Sequence, residues 1–228
     1  MLGVNLDMQS NVRVTVYDKN YNIKYQAEQH NKAGVALIQG VLKFLRGEFN
    51  PSNLTNDMIT HNINAAKLYI PSYVSFGNGG LTVTGSGSSI IITNEVSKTN
   101  FYDTTLEREM VNEQYNRLPI SKSELGTSSG ADNGILSLTT YVPVGYYTHD
   151  PTFGVKDGVV YMSEVGLFSN LYYGTKSNTG KLLARVIFKD PIPQTTEDVI
   201  LVQWNLGAIS IDDKYWVQDK GNFSVDWA

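Results

Sequence analysis

Apolar and polar residues alternate at the start of the chain. Val12, Val14 and Val16 are separated by Arg13 and Thr15, and Ile23 and Tyr25 resume the alternation after Asp18-Lys19-Asn20. A period of two places every second side chain on one strand face, and Asp and Asn favour turns, so residues 11–28 are predicted to form a β-hairpin. The period then changes. Ile38, Val41, Leu42 and Leu45 fall at i, i+3, i+4 and i+7, which predicts an amphipathic helix over residues 32–46. Asn31 suits its N-cap, Gly47 suits the position after its end, and Lys43 and Arg46 lie where the helix dipole favours cations. Gly34 and Gly40 cost helix propensity, which close approach to a sheet would explain.

Further along, residues 48–61 read as a polar loop and residues 67–76 as a strand. Residues 77–93 open on Gly77-Asn78-Gly79-Gly80 and close on Ile90-Ile91-Ile92. This segment reads either as an inserted hairpin or as a contact loop that orders on assembly. Residues 103–110 suggest a short helix capped by Asp103 or Thr104, and residues 121–133 a Ser/Gly loop. A strand over 135–144 is followed by a long loop carrying Tyr146, Tyr147, His149 and Phe153. Residues 159–168, 182–188 and 199–206 predict three strong strands in an antiparallel meander, with Pro191 and Pro193 in its second connection. The pattern as a whole predicts a mainly β fold, an antiparallel β-sandwich with one amphipathic helix packed on a sheet and long loops. It forms a single domain over residues 1–210. Residues 211–228, with Trp216, Phe223 and Trp227, read as a C-terminal arm that contacts a neighbouring subunit.

Two charges interrupt the last strands. A hairpin centred between Gly174 and Thr175 would set Glu164 opposite Arg185, Val165 opposite Ala184 and Leu167 opposite Leu182. Glu164 and Arg185 then form a cross-strand ion pair that specifies register. The rival reading is a catalytic acid held by an arginine.

Composition narrows the function classes. Charged residues are 18% of the chain and the net charge is −4, with 14 Tyr, 20 Gly and no Cys. The absence of Cys excludes disulfides, thiol catalysis and Cys-ligated zinc, and accords with synthesis in a reducing cytosol. No basic stripe argues for nucleic acid, no apolar run of spanning length argues for a membrane helix, and the first residues lack the pattern of a signal peptide. Few charges with many aromatics suit a surface covered by protein partners. Tyr146, Tyr147, Phe153, Trp216, Phe223 and Trp227 are the candidate interface residues; tyrosines in these loops could equally stack on sugars.

The residues for catalysis do not converge. His30, His61 and His149 have no helical metal-pair spacing. Gly77-Asn78-Gly79-Gly80 lacks the Lys-Ser/Thr and helix of a phosphate loop, and Gly85-Ser86-Gly87 is too short for a nucleophile elbow. Glu107, Glu109 and Glu113 cluster as paired carboxylates of a glycan hydrolase do, but Arg108 and Arg117 make an ion-paired face the simpler reading. No catalytic residue, cofactor or metal is expected; a hydrolase would have to rest on Glu107 or Glu164.

The order of these signals resembles a group of small virion proteins of tailed bacteriophages, found in tail, baseplate, neck or fibre-attachment regions. The resemblance is carried by the helix from Asn31-Lys32-Ala33-Gly34 to Phe44-Leu45-Arg46-Gly47 after an opening hairpin, and by Tyr73-Val74-Ser75-Phe76-Gly77-Asn78-Gly79. It continues through Asp103-Thr104-Thr105-Leu106-Glu107-Arg108-Glu109, Ser163-Glu164-Val165-Gly166-Leu167-Phe168, Lys181-Leu182-Leu183-Ala184-Arg185 and Val202-Gln203-Trp204-Asn205. It covers roughly residues 10–210; the Gly85–Ser89 insertion and the tail after Ser210 depart from it. It implies a structural adaptor without enzymatic activity, assembled in the host cytoplasm into the virion, with other virion proteins and further copies of itself as partners. A receptor- or carbohydrate-binding module of a fibre and a capsid decoration protein are the alternatives.

Overall fold

The computed structural model describes residues 8–32, 34–45, 69–84, 91–94, 105–110, 117–128, 131–147, 158–169 and 180–208. Its strands are β1 (Met8–Tyr17), β2 (Ile23–Lys32), β3 (Pro71–Gly77), β4 (Leu81–Thr84), β5 (Ile91–Asn94), β6 (Leu118–Pro119), β7 (Lys122–Ser128), β8 (Ala131–Val142), β9 (Val160–Ser169), β10 (Leu182–Gln194) and β11 (Val199–Ala208), with one helix, α1 (Val35–Leu45). A five-stranded antiparallel sheet, ordered β2-β1-β11-β8-β7, packs on a four-stranded one, ordered β10-β9-β3-β6; β4 and β5 form a separate pair. The protein is therefore an antiparallel β-sandwich with one short helix.

Period-2 patterning builds the core. In the five-stranded sheet, Val12 lies opposite Trp204, Val14 opposite Val202 and Val16 opposite Ile200. On β8, Leu138 and Val142 lie opposite Trp204 and Ile200. Val74 and Phe76 on β3, Val165 and Leu167 on β9, and Ala184 and Val186 on β10 fill the core from the other sheet. Each fully buried valine, leucine, isoleucine or phenylalanine side chain contributes about 1.5–3 kcal/mol.

The opening hairpin forms with Asp18 at its turn. Asp18 Oδ1 accepts from the Asn20 and Asn22 amides at 2.7 and 2.9 Å, and Asn22 Nδ2 donates to Oδ2 at 3.1 Å. The helix begins later than its pattern suggests. Asn31 and Lys32 belong to β2, where Lys32 pairs with Gln9, and so do not cap it. The Gly34 amide donates to the Leu183 carbonyl at 2.8 Å, which ties the helix entry to β10, and the Gly34 carbonyl accepts from Leu37 at 3.1 Å. Leu37 is buried, whereas Leu42 is exposed, so the apolar stripe is rotated from the predicted one. Gly40 makes its close approach to Tyr69 and not to a sheet: a Cβ there would lie 2.9 Å from Tyr69 Cγ.

Three other expectations change. β9 and β10 pair, but β11 leaves β10 and inserts between β1 and β8, so the last three strands are not a meander. Pro191 and Pro193 lie inside β10; as the edge of its sheet, it has an outer row of backbone groups with no ladder to interrupt. The Ser/Gly loop contains β7, paired with β8. Residues 77–93 contain the β4–β5 hairpin, whose connection lies outside the described residues. So do residues 48–61 and 211–228, including Trp216, Phe223 and Trp227.

The turn from β10 to β11 is fastened by Asp198. Its carboxylate accepts from Lys24 Nζ at 2.7 and 2.9 Å and from the Thr195 amide at 2.8 Å. Burial works to raise its pKa, but the Lys24 ammonium, then the Thr195 amide and hydroxyl, outweigh it, and the net effect is a value below the ordinary 3.8. A carboxyl whose folded pKa is depressed gives stability that is present above the unfolded value and lost as pH falls through the folded one. Lys24→Met is expected to cost about 0.5–1 kcal/mol at neutral pH, the lysine being half exposed. The difference from the parent should close on acidification below about pH 4. Urea denaturation at pH 7 and pH 2.5 checks both.

Candidate functional site

Among the described residues the buried charges other than Asp198 gather on the outer face of the four-stranded sheet, away from the core. Glu164 on β9 is 0% exposed. Gly77 lies directly opposite it on β3 and Ile187 opposite on β10. Arg185 lies opposite Gly166, one residue pair along on the same face. The pairing is thus shifted by two residues from the predicted register, with Val165 opposite Val186 and Leu167 opposite Ala184. A shift of two keeps every side chain on its face, and so Glu164 and Arg185 still meet, diagonally.

The Glu164 carboxylate is saturated. Oε1 accepts from the Arg108 amide at 2.9 Å and the Gly79 amide at 3.2 Å. Oε2 accepts from the Glu107 amide at 3.1 Å and from Arg185 Nε at 2.8 Å, with Arg185 Nη2 also at 2.8 Å. Arg185 Nη2 lies 3.5 Å from Glu107 as well. The two loops that supply the amides are far from residue 164 in sequence. One is the turn after β3, where the Leu81 amide donates to the Asn78 carbonyl and Gly80 takes φ 73°. The other is residues 105–110, an irregular strap with a single bridge to β3 and not a helix. It runs beside β3: Met110 donates to the Phe76 carbonyl at 2.8 Å and Asn78 to the Arg108 carbonyl at 3.0 Å.

Two glycines make room for the carboxylate. A Cβ on Gly77 would lie 2.6 Å from the Arg108 carbonyl oxygen and 2.7 Å from Glu164 Cγ. A Cβ on Gly79 would lie 2.7 Å from Glu164 Oε1. The glycine-rich run therefore serves a carboxylate of its own chain. A second arginine fixes the same strap. Arg117 holds Glu109 through Nε and through Nη2 at 2.8 Å, donates from Nη1 to the Gly180 carbonyl at 3.0 Å, and lies over the Phe168 ring with its guanidinium carbon 3.4 Å from the centroid. Beneath the strap Leu106, Phe168 and Leu182 form a small buried cluster against Tyr73. A carboxylate with its acceptor positions filled and no exposed surface cannot reach a substrate or take up a ligand. Glu164 acts as a staple between three segments. Among the described residues no group of three or more His, Asp or Glu side chains is placed to hold a metal ion.

Tyr147 stands differently from its expected place at an interface. It is fully buried in the core, edge-on to Phe76 with centroids 5.7 Å apart and to Tyr146 at 5.0 Å. Burial, and then the neighbouring Tyr146, push its hydroxyl pKa up. Tyr147 is a core residue and is not available to a partner; Tyr146 is half-buried against the same core. Phe153 lies outside the described residues.

Among the described residues, exposed apolar side chains include a group on the outer face of the five-stranded sheet. Registers place Tyr17 beside Ile23 and Val199, and Leu201 beside Tyr141. These five make two adjacent rows across β2, β1, β11 and β8 at one end of the sheet. Ile23 is 60% and Tyr141 57% exposed, and Tyr17, Val199 and Leu201 are half-buried. Thr15 and Gln26 continue the Leu201–Tyr141 row on β1 and β2 with polar side chains, the buried Thr15 hydroxyl accepting from Gln26 Nε2 at 3.2 Å. The other end of the face is polar, with Arg13 bound to Glu28 at 2.9 and 3.1 Å, Asn11 to Glu28 at 2.7 Å, and Ser137 to Asn205 at 2.8 Å. The sequence signal for the band is the unbroken run Val199-Ile200-Leu201-Val202, because a strand apolar on both faces is a strand covered on both faces.

Comparison with protein-family models, with curated proteins and with solved structures finds no match to this chain.

Proposed function

We propose that this protein is a non-enzymatic structural component that binds neighbouring protein subunits, and that the assembly is the virion of a tailed bacteriophage, at the tail, baseplate, neck or fibre attachment. The observation that carries the binding half of the reading is the apolar band of Tyr17, Ile23, Tyr141, Val199 and Leu201 on a sheet face. Exposed and half-buried apolar residues grouped on a sandwich face suit an interaction surface. The buried charges support it from the other side: Glu164 and Arg185 are spent on holding the fold together. The virion half rests on the order of sequence motifs, which resembles that of small tail and neck proteins.

The test is light scattering of the purified protein, alone and mixed with disrupted virion components. A stoichiometric complex with a virion protein, or a defined oligomer, supports the reading. A monomer that joins no virion protein but binds an arrayed glycan overturns it in favour of a carbohydrate-binding module.

A further inference from the structure

We propose that Asn78 is a latent modification site: it deamidates when the strap of residues 105–110 lifts, and the Glu164 staple suppresses that chemistry in the folded protein. An asparagine followed by glycine is intrinsically labile, because a residue with no Cβ leaves its amide nitrogen free to swing onto the preceding side chain. Asn78-Gly79 is such a pair. The Gly79 nitrogen attacks Asn78 Cγ. A carbon–nitrogen bond forms, the Cγ–Nδ2 bond breaks, and ammonia departs with the proton of the Gly79 amide. The resulting succinimide takes up water and opens to aspartate, or to isoaspartate when water attacks its other carbonyl. The reaction needs no oxidant, metal or enzyme.

The fold engages all four backbone polar groups of the pair. The Gly79 amide donates to Glu164 Oε1 at 3.2 Å, and the Gly79 carbonyl accepts from Ser163 Oγ at 2.6 Å. The Asn78 amide donates to the Arg108 carbonyl at 3.0 Å, and the Asn78 carbonyl accepts from the Leu81 amide at 3.2 Å. The restraint falls on the nucleophile. An amide donating to a carboxylate cannot turn onto Cγ, and the adjacent negative charge opposes loss of its proton. The electrophile is held less: among the described residues, Asn78 Oδ1 is buried with no hydrogen-bond partner. Strap and staple act together, because the Glu107 and Arg108 amides share the Glu164 carboxylate with Gly79. Lifting the strap therefore takes away one clasp on Asn78 and two donors on Glu164, in a local opening short of global unfolding.

Conversion is one-way. Asn78 is buried, so aspartate would add a second carboxylate to the turn that encloses Glu164, at the cost of desolvation and like-charge repulsion. Isoaspartate would add a methylene to the backbone and carry the Gly79 amide away from Oε1. Either product opposes re-closure, so residue 78 records the molecules whose strap has lifted.

The experiment is peptide mapping by mass spectrometry of the full chain after incubation in mildly alkaline buffer, folded and in concentrated urea. Asn78 of the folded parent is expected to convert at least about tenfold more slowly than in urea, as a site reached only through opening does. Two variants lift the guard. Glu164→Ala with Arg185→Met removes the acceptor of the Gly79 amide and leaves no buried charge; it is expected to speed conversion at least about tenfold over the folded parent, as loss of a hydrogen bond to a charged group does. Ser163→Ala removes the clasp on the Gly79 carbonyl and is expected to speed it roughly two- to tenfold. If the double substitution fails to fold by circular dichroism, Ser163→Ala decides. The control is Val14→Ala, which weakens the core of the five-stranded sheet, leaves both clasps in place and is expected to keep the parent rate. A folded parent that converts Asn78 as fast as the unfolded one overturns the inference, as does an Asn78 that stays intact in urea. So does a Val14→Ala rate equal to that of the folded guard variants, because conversion would then follow global unfolding and not the staple.

Discussion

Arg185→Ala is expected to destabilise the protein by about 3–5 kcal/mol, because it leaves the Glu164 carboxylate buried without its counter-charge. Three backbone amides would remain on that carboxylate, and they satisfy lone pairs without neutralising the charge. Glu164 is wholly enclosed in the parent, so its charge has no direct contact with solvent there. For a chain of this length each kcal/mol moves the melting temperature by about 2–4 °C, so a fall of roughly 6–20 °C is expected. Glu164→Gln combined with Arg185→Met should cost less than Arg185→Ala alone, because no unpaired charge stays behind. Arg185→Lys should fall between, keeping the charge but not the guanidinium fork that sets Nε and Nη2 on one oxygen. Thermal unfolding of the four proteins checks the order, and Arg185→Ala melting within about 2 °C of the parent, less than 1 kcal/mol, would refute it.

Gly77→Ala is expected to cost about 2–4 kcal/mol, from overpacking plus weakened hydrogen bonds to a charged group. The added methyl would meet the Glu164 side chain on one side and the Arg108 carbonyl on the other. Neither can yield easily, since one is pinned by four donors and the other accepts from Asn78. The cost comes from space and not from backbone conformation, so it should shrink when Glu164 is also made smaller. Gly77→Ala in a Glu164→Ala, Arg185→Met background is expected to lose less than half of what it loses alone, as coupled neighbours do. Additive losses in a double-mutant cycle would show that the methyl clashes with something other than the carboxylate.

Local pattern foretold what local chemistry decides. The β1–β2 hairpin was legible because Val12, Val14 and Val16 alternate and Asp18 organises its own turn. The helix was legible in kind but not in its ends: Asn31 looks like a cap, yet the β1 ladder claims it through Ser10. The meander failed because period-2 strands say which face is buried and not which strand lies alongside. The register of β9 and β10 erred by two for a related reason, since shifts of two preserve the alternation and the connecting residues do not set the turn by their types. The alternation still brought Glu164 and Arg185 to one face.

The surroundings of Glu164 were hidden more deeply. Glu107 and Arg108 contribute backbone amides, and an amide is the same whatever the side chain. Leu106 and Met110, four residues apart, imitate a helical stripe, whereas the strap is held in an irregular path by β3 and by residue 164, over fifty positions away. Gly77 and Gly79 gave a visible signal, but glycine records only that something comes close. Tyr147 shows the same limit for aromatics: a tyrosine in a loop is as well suited to a core as to an interface. The outer band was there to be read in Val199 and Leu201, whose side chains alternate with the core residues Ile200 and Val202.

The insertion of β11 between β1 and β8 has a consequence for the order in which the molecule forms. β1 and β2 can close as soon as they are made, and β7 and β8 likewise, because both are hairpins of near neighbours. Each is then half of a sheet with an open apolar edge, and nothing joins them until residues 199–208 arrive. A two-stranded hairpin alone is marginal in water. The join spans nearly the whole described chain, a topology of high contact order that folds on the millisecond-to-second scale and not in microseconds. On the ribosome, where about 5–20 residues are added each second, the opening hairpin must therefore wait about ten seconds or more for its neighbour. During that interval the nascent protein carries two unpaired edges that invite other chains, and the strand that ends the danger is among the last to be made.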